Sequence, residues 1–114
     1  MVNLSEARRL ALALPASEEK AHFDKPDFRV KNKIFAVLHK DKSGMVVKLS
    51  LPDQSVFCAY DSEIIYPLPG GWGRKGWTMI NLKKIKKPML VDVLSMAWKA
   101  VAPASLVTKH FPGE

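Results

Sequence analysis

Six cations fall in one quarter of the chain with no carboxylate among them. Between Ile64 and Val91 stand Arg74, Lys75, Lys83, Lys84, Lys86 and Lys87, and no Asp or Glu. The whole chain carries 18 Lys and Arg against 11 Asp and Glu, a formal net charge of +7 with a pI near 9.7. Twelve basic and 11 acidic residues are left for the remainder, which is therefore almost neutral. Cations segregated in this way raise the local potential and draw polyanions to one region. The chemistry on offer is phosphate neutralisation with counterion release, which carries no base sequence information. Taken singly, each lysine is better explained by solubility; for the cluster as a whole both explanations stay open.

Two tryptophans bracket part of this segment, Trp72 and Trp77 around Arg74 and Lys75. Aromatic rings interleaved with cations suit stacking on the bases of single-stranded nucleic acid. Apolar residues on both faces of Trp77–Leu82 favour packing of Trp77 against helices, whereas Trp72 is counted with the cations as a contact residue. The run Gly71-Trp72-Gly73-Arg74-Lys75-Gly76 also matches G-x-G-x-x-G. A dinucleotide site needs that loop between a strand and a helix, so that pyrophosphate meets helix N-terminal amides. Here Pro67 and Pro69 precede the run and a strand is predicted after it, so the glycines predict a structural loop with positive φ angles.

Other reactive residues form no constellation. His22, His39 and His110 are scattered, without Cys or carboxylate partners at metal-ligand spacing. Asp61 and Glu63, at i, i+2 in a loop, read as solvated. Cys58 lies in the apolar stretch Val56–Tyr60 and reads as a small buried hydrophobe, not a nucleophile. The expectation is a non-enzymatic protein with no metal and no cofactor.

These residues must be positioned by a small frame. A chain of 114 residues, 47% of them hydrophobic, predicts one domain spanning 1–114 with one core. One cysteine cannot form an internal disulfide, and no apolar run approaches the roughly 20 residues of a membrane span. The run Leu10–Leu14 is short and follows Glu6, Arg8 and Arg9, unlike a secretory signal; a cytoplasmic protein is expected. A helix is predicted over Leu4–Leu14, capped by Asn3 or Ser5 and stopped by Pro15. Glu19–Phe23 is predicted extended and Lys25–Asp27 a turn. Phe28 and Val30 alternate with Arg29 and Lys31, Asn32 supplies a turn, and Ile34–Lys40 reads as a strand. Asp41–Gly44 closes a hairpin into Met45–Ser50, with Met45, Val47 and Leu49 facing the core. Ser50 and Pro52 start a short helix, Pro67–Gly73 make a loop, Trp77–Leu82 forms a strand, and Pro88 opens a last helix. Leu90, Leu94, Ala97, Trp98 and Val101 form the apolar stripe of that helix, which ends before Pro103. Strands grouped between helices predict an α+β fold, an antiparallel sheet flanked by N- and C-terminal helices on one face. Arg74 and Lys75 would then sit at one end of the last strand and Lys83, Lys84, Lys86 and Lys87 beyond the other, about 20 Å apart at roughly 3.3 Å per residue. Lys31 and Lys33 flank one hairpin turn, and Lys40 and Lys42 the next.

The segments Ala7–Pro15 and Glu18–Phe23 resemble the start of the MmcQ/YjbR family. Pro26–Val30, Lys33–Leu38, Gly73–Thr78 and the closing Ala97-Trp98 through Ala102-Pro103 are similar to its later segments in order and spacing. The resemblance covers almost the entire chain. It implies a CyaY-like α+β fold and a DNA-binding protein with a double-wing arrangement. Frataxin shares that fold and binds iron through acidic residues; here the first helix offers only Glu6, so iron binding does not carry over.

The residues and the resemblance together predict a small DNA-binding protein, a monomer on duplex DNA with little base specificity. Its contacts would be Arg74, Lys75, Lys83, Lys84, Lys86 and Lys87, with Arg29, Lys31 and Lys33 secondary and Trp72 beside them. The alternative is a protein-interaction or anionic small-ligand module whose basic face meets an acidic partner.

Overall fold

The computed structural model describes residues 1–21 and 25–112. His22 and Phe23, the end of the predicted extended segment, lie outside the described residues. The first helix, α1 (Leu4–Leu12), is fixed by a capping box: the Asn3 side chain accepts from the Glu6 amide at 2.8 Å while the Asn3 amide donates back to the Glu6 carboxylate at 3.3 Å. It ends two residues earlier than predicted, because Leu14 precedes Pro15 and is steered away from helical angles.

The described residues form six strands: β1 (Ser17–Lys20), β2 (Asp27–Val30), β3 (Lys33–His39), β4 (Gly44–Lys48), β5 (Ile65–Pro67) and β6 (Trp77–Asn81). They make one antiparallel sheet in the order β1-β2-β3-β4-β6-β5. Asp27, predicted in a turn, is the first residue of β2. The helix α2 (Leu51–Tyr60) starts where Ser50 caps the Asp53 amide and Pro52 occupies the first turn. A one-turn helix, α3 (Gly71–Arg74), lies inside the segment predicted as a loop. The long helix α4 (Lys87–Val101) is succeeded by α5 (Ala104–His110), which restarts after Pro103 where the sequence predicts an end.

Helices α1 and α4 pack on one face of the sheet. Phe28, Leu38, Met45, Val47 and Ile80 meet Leu90, Leu94, Ala97 and Trp98 there, all essentially inaccessible to water. The predicted inward trio Met45, Val47 and Leu49 is buried as expected. A β-bulge shapes β3: Phe28 pairs with Ala36 but Arg29 with Ile34, leaving Phe35 as the extra residue. Phe35 and Ala36 both therefore enter the core, and Ile34, Val37 and His39 share the opposite face.

That opposite face decides where the site lies. Val46 and Met79, paired across β4 and β6, are buried yet stand outside the core cluster. They belong to a second apolar surface, on the face of the sheet away from α1 and α4, to which α3 contributes Trp72.

Candidate nucleic-acid interface

The register of the sheet gathers the cations at its two ends. At one end, Lys31 and Asn32 both take positive φ, 49° and 65°, in a two-residue turn between Val30 and Lys33. Such a turn matches the right-handed twist of a hairpin and tolerates Asn readily. The end of β4 and the start of β6 meet there, with Lys48 opposite Trp77, and α3 adds Arg74, with Lys75 next. Lys31, Lys33, Arg74 and Lys75 are exposed. At the other end His39 pairs with Gly44 and Gly44 with Asn81, so the Lys40–Lys42 turn lies beside Lys83. Lys42 and Lys83 line one shallow depression. The five residues of β6 separate the two ends by about 16 Å at roughly 3.3 Å per residue.

The predicted cations do not all share one surface. Lys84 and Lys86 line a different cavity of about 310 Å³, with Tyr60, Ile64, Ile85 and Met89, between α2 and the start of α4. Lys87 begins α4, in the helical layer. Lys84 also approaches Glu63 at 3.6 Å, an exposed pair that holds it weakly.

Arg29 has a different role from the free lysines. Its guanidinium donates to both oxygens of buried Asp27, at 2.9 and 3.2 Å, and to Asn32 Oδ1 at 3.1 Å. The hydrogen bonds it donates to this carboxylate push the Arg29 pKa above the ordinary arginine value. A bidentate pair of this kind is strong and directional, so Arg29 braces the Lys31–Asn32 turn.

The segment carrying Trp72 is clamped from behind. Gln54, buried on α2, donates from Nε2 to the Gly73 carbonyl at 2.9 Å and to Thr78 Oγ1 at 3.1 Å. Thr78 Oγ1 in turn donates to the Gly76 carbonyl at 2.9 Å. A Cβ on Gly73 would run into the Leu68 carbonyl, and one on Gly76 into the Leu49 carbonyl; Gly76 also sits at φ +103°. Gly73 is thus required by crowding, Gly76 by crowding and φ together. The glycines serve chain packing, and Gly76 leads directly into β6.

Trp77 corrects the sequence expectation. It stands on the face away from α1 and α4, half-buried, with the Lys48 ammonium 5.3 Å from its ring centroid. Thr78 takes the inward position because Gln54 and Gly76 satisfy its hydroxyl. Trp72 is 64% exposed and meets Trp77 edge-on, 6.4 Å between centroids. Lys48 is the contact that sequence reasoning did not single out; its outward place in β4 was legible, its register against Trp77 was not. Ile34, Val37, Val46, Leu68 and His39 complete a groove of about 260 Å³ with the two indoles, and among the described residues no carboxylate lines it.

Among the described residues no group of three His, Cys, Asp or Glu could hold a metal ion, and no helix is long and apolar enough to cross a membrane. Cys58 is half-buried on α2, and burial pushes its thiol pKa up, which disfavours the thiolate.

The chain aligns structurally with the crystal structure of Deinococcus radiodurans protein DR2400, described as having the domain DUF419. The TM-score is 0.73 at 19% identity, covering 96% of this chain and 81% of that one, so the likeness is one of fold. No curated protein matches it. Residues 12–100 match the family model described as YjbR, a span running from the end of α1 through the sheet to α4. By that match the chain belongs to the YjbR family.

Proposed function

We propose that this protein binds DNA without strong base preference, as a non-enzymatic cytoplasmic monomer, through the basic ends of its sheet. The observation that supports this most is the placement of exposed Lys31, Lys33, Arg74 and Lys75 at one end and Lys42 and Lys83 at the other, about 16 Å apart. Phosphates along one strand repeat at about 3.4 Å, so both ends can be engaged within about five nucleotides. The two turns at the ends of β3 are the candidates for the wings that the family resemblance implies. The test is fluorescence anisotropy of a labelled duplex at several salt concentrations. With about four phosphates engaged, log K against log salt should have a slope near −3.6. Absence of binding at low salt would overturn the proposal.

A second function has its own support. The apolar cavity between α2 and α4, lined by Lys84 and Lys86 against the single carboxylate of Asp92 among the described residues, is at the lower end of the size range for small-molecule sites. An anionic ligand held there would bind saturably and would survive competition by DNA.

A further inference from the structure

Resting on that DNA-binding function, we propose that the open sheet face takes single-stranded DNA, with unpaired bases stacked at Trp72 and the backbone running between the two basic ends. A duplex turns its base faces inward and presents only phosphate, sugar and base edges. It offers a base face to an indole ring that stands 64% in water beside a second indole only if a base step is unstacked. An unpaired base has a free π-face, and open sheets use exposed aromatics to stack such bases.

Charge and composition agree with this occupant. The groove joins Trp72 and Trp77 to an apolar floor of Ile34, Val37 and Val46, and among the described residues no carboxylate lines it. The Lys48 ammonium over Trp77 adds a cation inside the aromatic patch, and Lys33, Arg74 and Lys75 stand at the same end of the sheet. Bases would lie along the floor while phosphates pass from these cations towards Lys42 and Lys83.

The test compares fluorescein-labelled (dT)8, (U)8 and a 16-bp duplex, with anisotropy and intrinsic tryptophan emission as readouts. Binding of (dT)8 should quench tryptophan emission. Trp72→Ala should weaken (dT)8 by about 5- to 100-fold and the duplex by a clearly smaller factor, and Trp72→Phe should restore most of the loss for (dT)8. Combined Arg74→Glu and Lys75→Glu should weaken both ligands. If Trp72→Ala weakens both equally or neither, or if (dT)8 binds without quenching, the single-strand proposal is overturned while duplex binding stands. Should (U)8 bind as tightly as (dT)8, the choice of DNA is overturned. Loss of all binding in the wild type would instead remove the underlying DNA-binding function. The quenching measurement uses unmodified protein, so it decides the matter even if Trp72→Ala does not fold.

Discussion

Gln54 holds the backbone of Gly73: its buried side-chain amide donates to that carbonyl at 2.9 Å across 19 residues of chain. The same nitrogen reaches Thr78 Oγ1, so one side chain on α2 fixes both α3 and the start of β6. The two indoles and Arg74 are presented by backbone that this contact makes rigid. Positioning of the candidate surface is therefore decided behind the sheet edge, away from the cations themselves.

Gln54→Leu keeps the volume but leaves the Gly73 carbonyl and Thr78 hydroxyl without this donor. A loss of about 1–3 kcal/mol is expected, since buried groups deprived of a partner bear their desolvation cost. Urea denaturation measures it. Affinity for duplex DNA should fall as well, because Arg74 and Lys75 lose their fixed placement.

The glycines of the Gly71–Gly76 run should differ sharply. Gly73→Ala drives a Cβ into the Leu68 carbonyl, with Pro67 Cβ a further 3.2 Å contact, and neither is a flexible side chain. Destabilisation by about 1–3 kcal/mol is expected. Gly71→Ala meets only the Arg74 guanidinium at 3.9 Å and should stay within about 0.5 kcal/mol. Thermal melts of the two variants side by side check the contrast.

Charge reversal should reveal both ends of the sheet. Lys42→Glu with Lys83→Glu removes one end, and Arg74→Glu with Lys75→Glu the other. For every phosphate left unneutralised, the salt slope should become shallower by about 0.9. Equal slopes in wild type and both double variants would mean that the cations act elsewhere.

Arg29 should behave as a structural residue. Arg29→Met is expected to lower the melting temperature, whereas Lys31→Met should leave it nearly unchanged and weaken DNA binding. The Arg29 pKa is raised, so the folded state holds the proton more tightly than the unfolded chain. The resulting stability is complete below the ordinary arginine value and is lost only as pH rises through the still higher folded value. Melts of wild type and Arg29→Met between about pH 6 and 10 should therefore differ by a constant amount.

Cys58 should react slowly. Its thiol is pushed up by burial, so the rate of alkylation by iodoacetamide should rise at higher pH than for an unstructured thiol peptide. The linked stability is present below the ordinary thiol value and fades as pH climbs through the raised one. A rate profile matching the free peptide would show that α2 leaves this thiol in water.

The elements that announce themselves in the sequence are those with strong local signals. The helix start at Leu4 with a cap at Asn3 or Ser5, Ser50 with Pro52, and the Met45-Val47-Leu49 alternation each read directly into structure. β5 does not, because three residues ending in proline become a strand only through Ile65 opposite Ile80. α5 is equally hidden: seven residues after Pro103 are held by Phe111, whose ring lies 5.5 Å from that of Trp98. The β3 bulge and the side taken by Trp77 depend on register, which periodicity alone does not set when both faces are apolar. For the site, composition showed the charge and which segment bore it. Only the sheet order shows that Lys84, Lys86 and Lys87 leave that surface and that Lys48 joins it.

The margins of the sheet carry one more consequence. A strand edge with open amides and carbonyls is a template for lateral growth into fibrils. Here one margin, β5, is three residues long and closes on Pro67, which has no amide hydrogen to give, while the other, β1, presents Glu18, Glu19 and Lys20. A protein that leaves one face of its sheet without a covering layer of long helices has thus been made a poor seed for stacking strand upon strand.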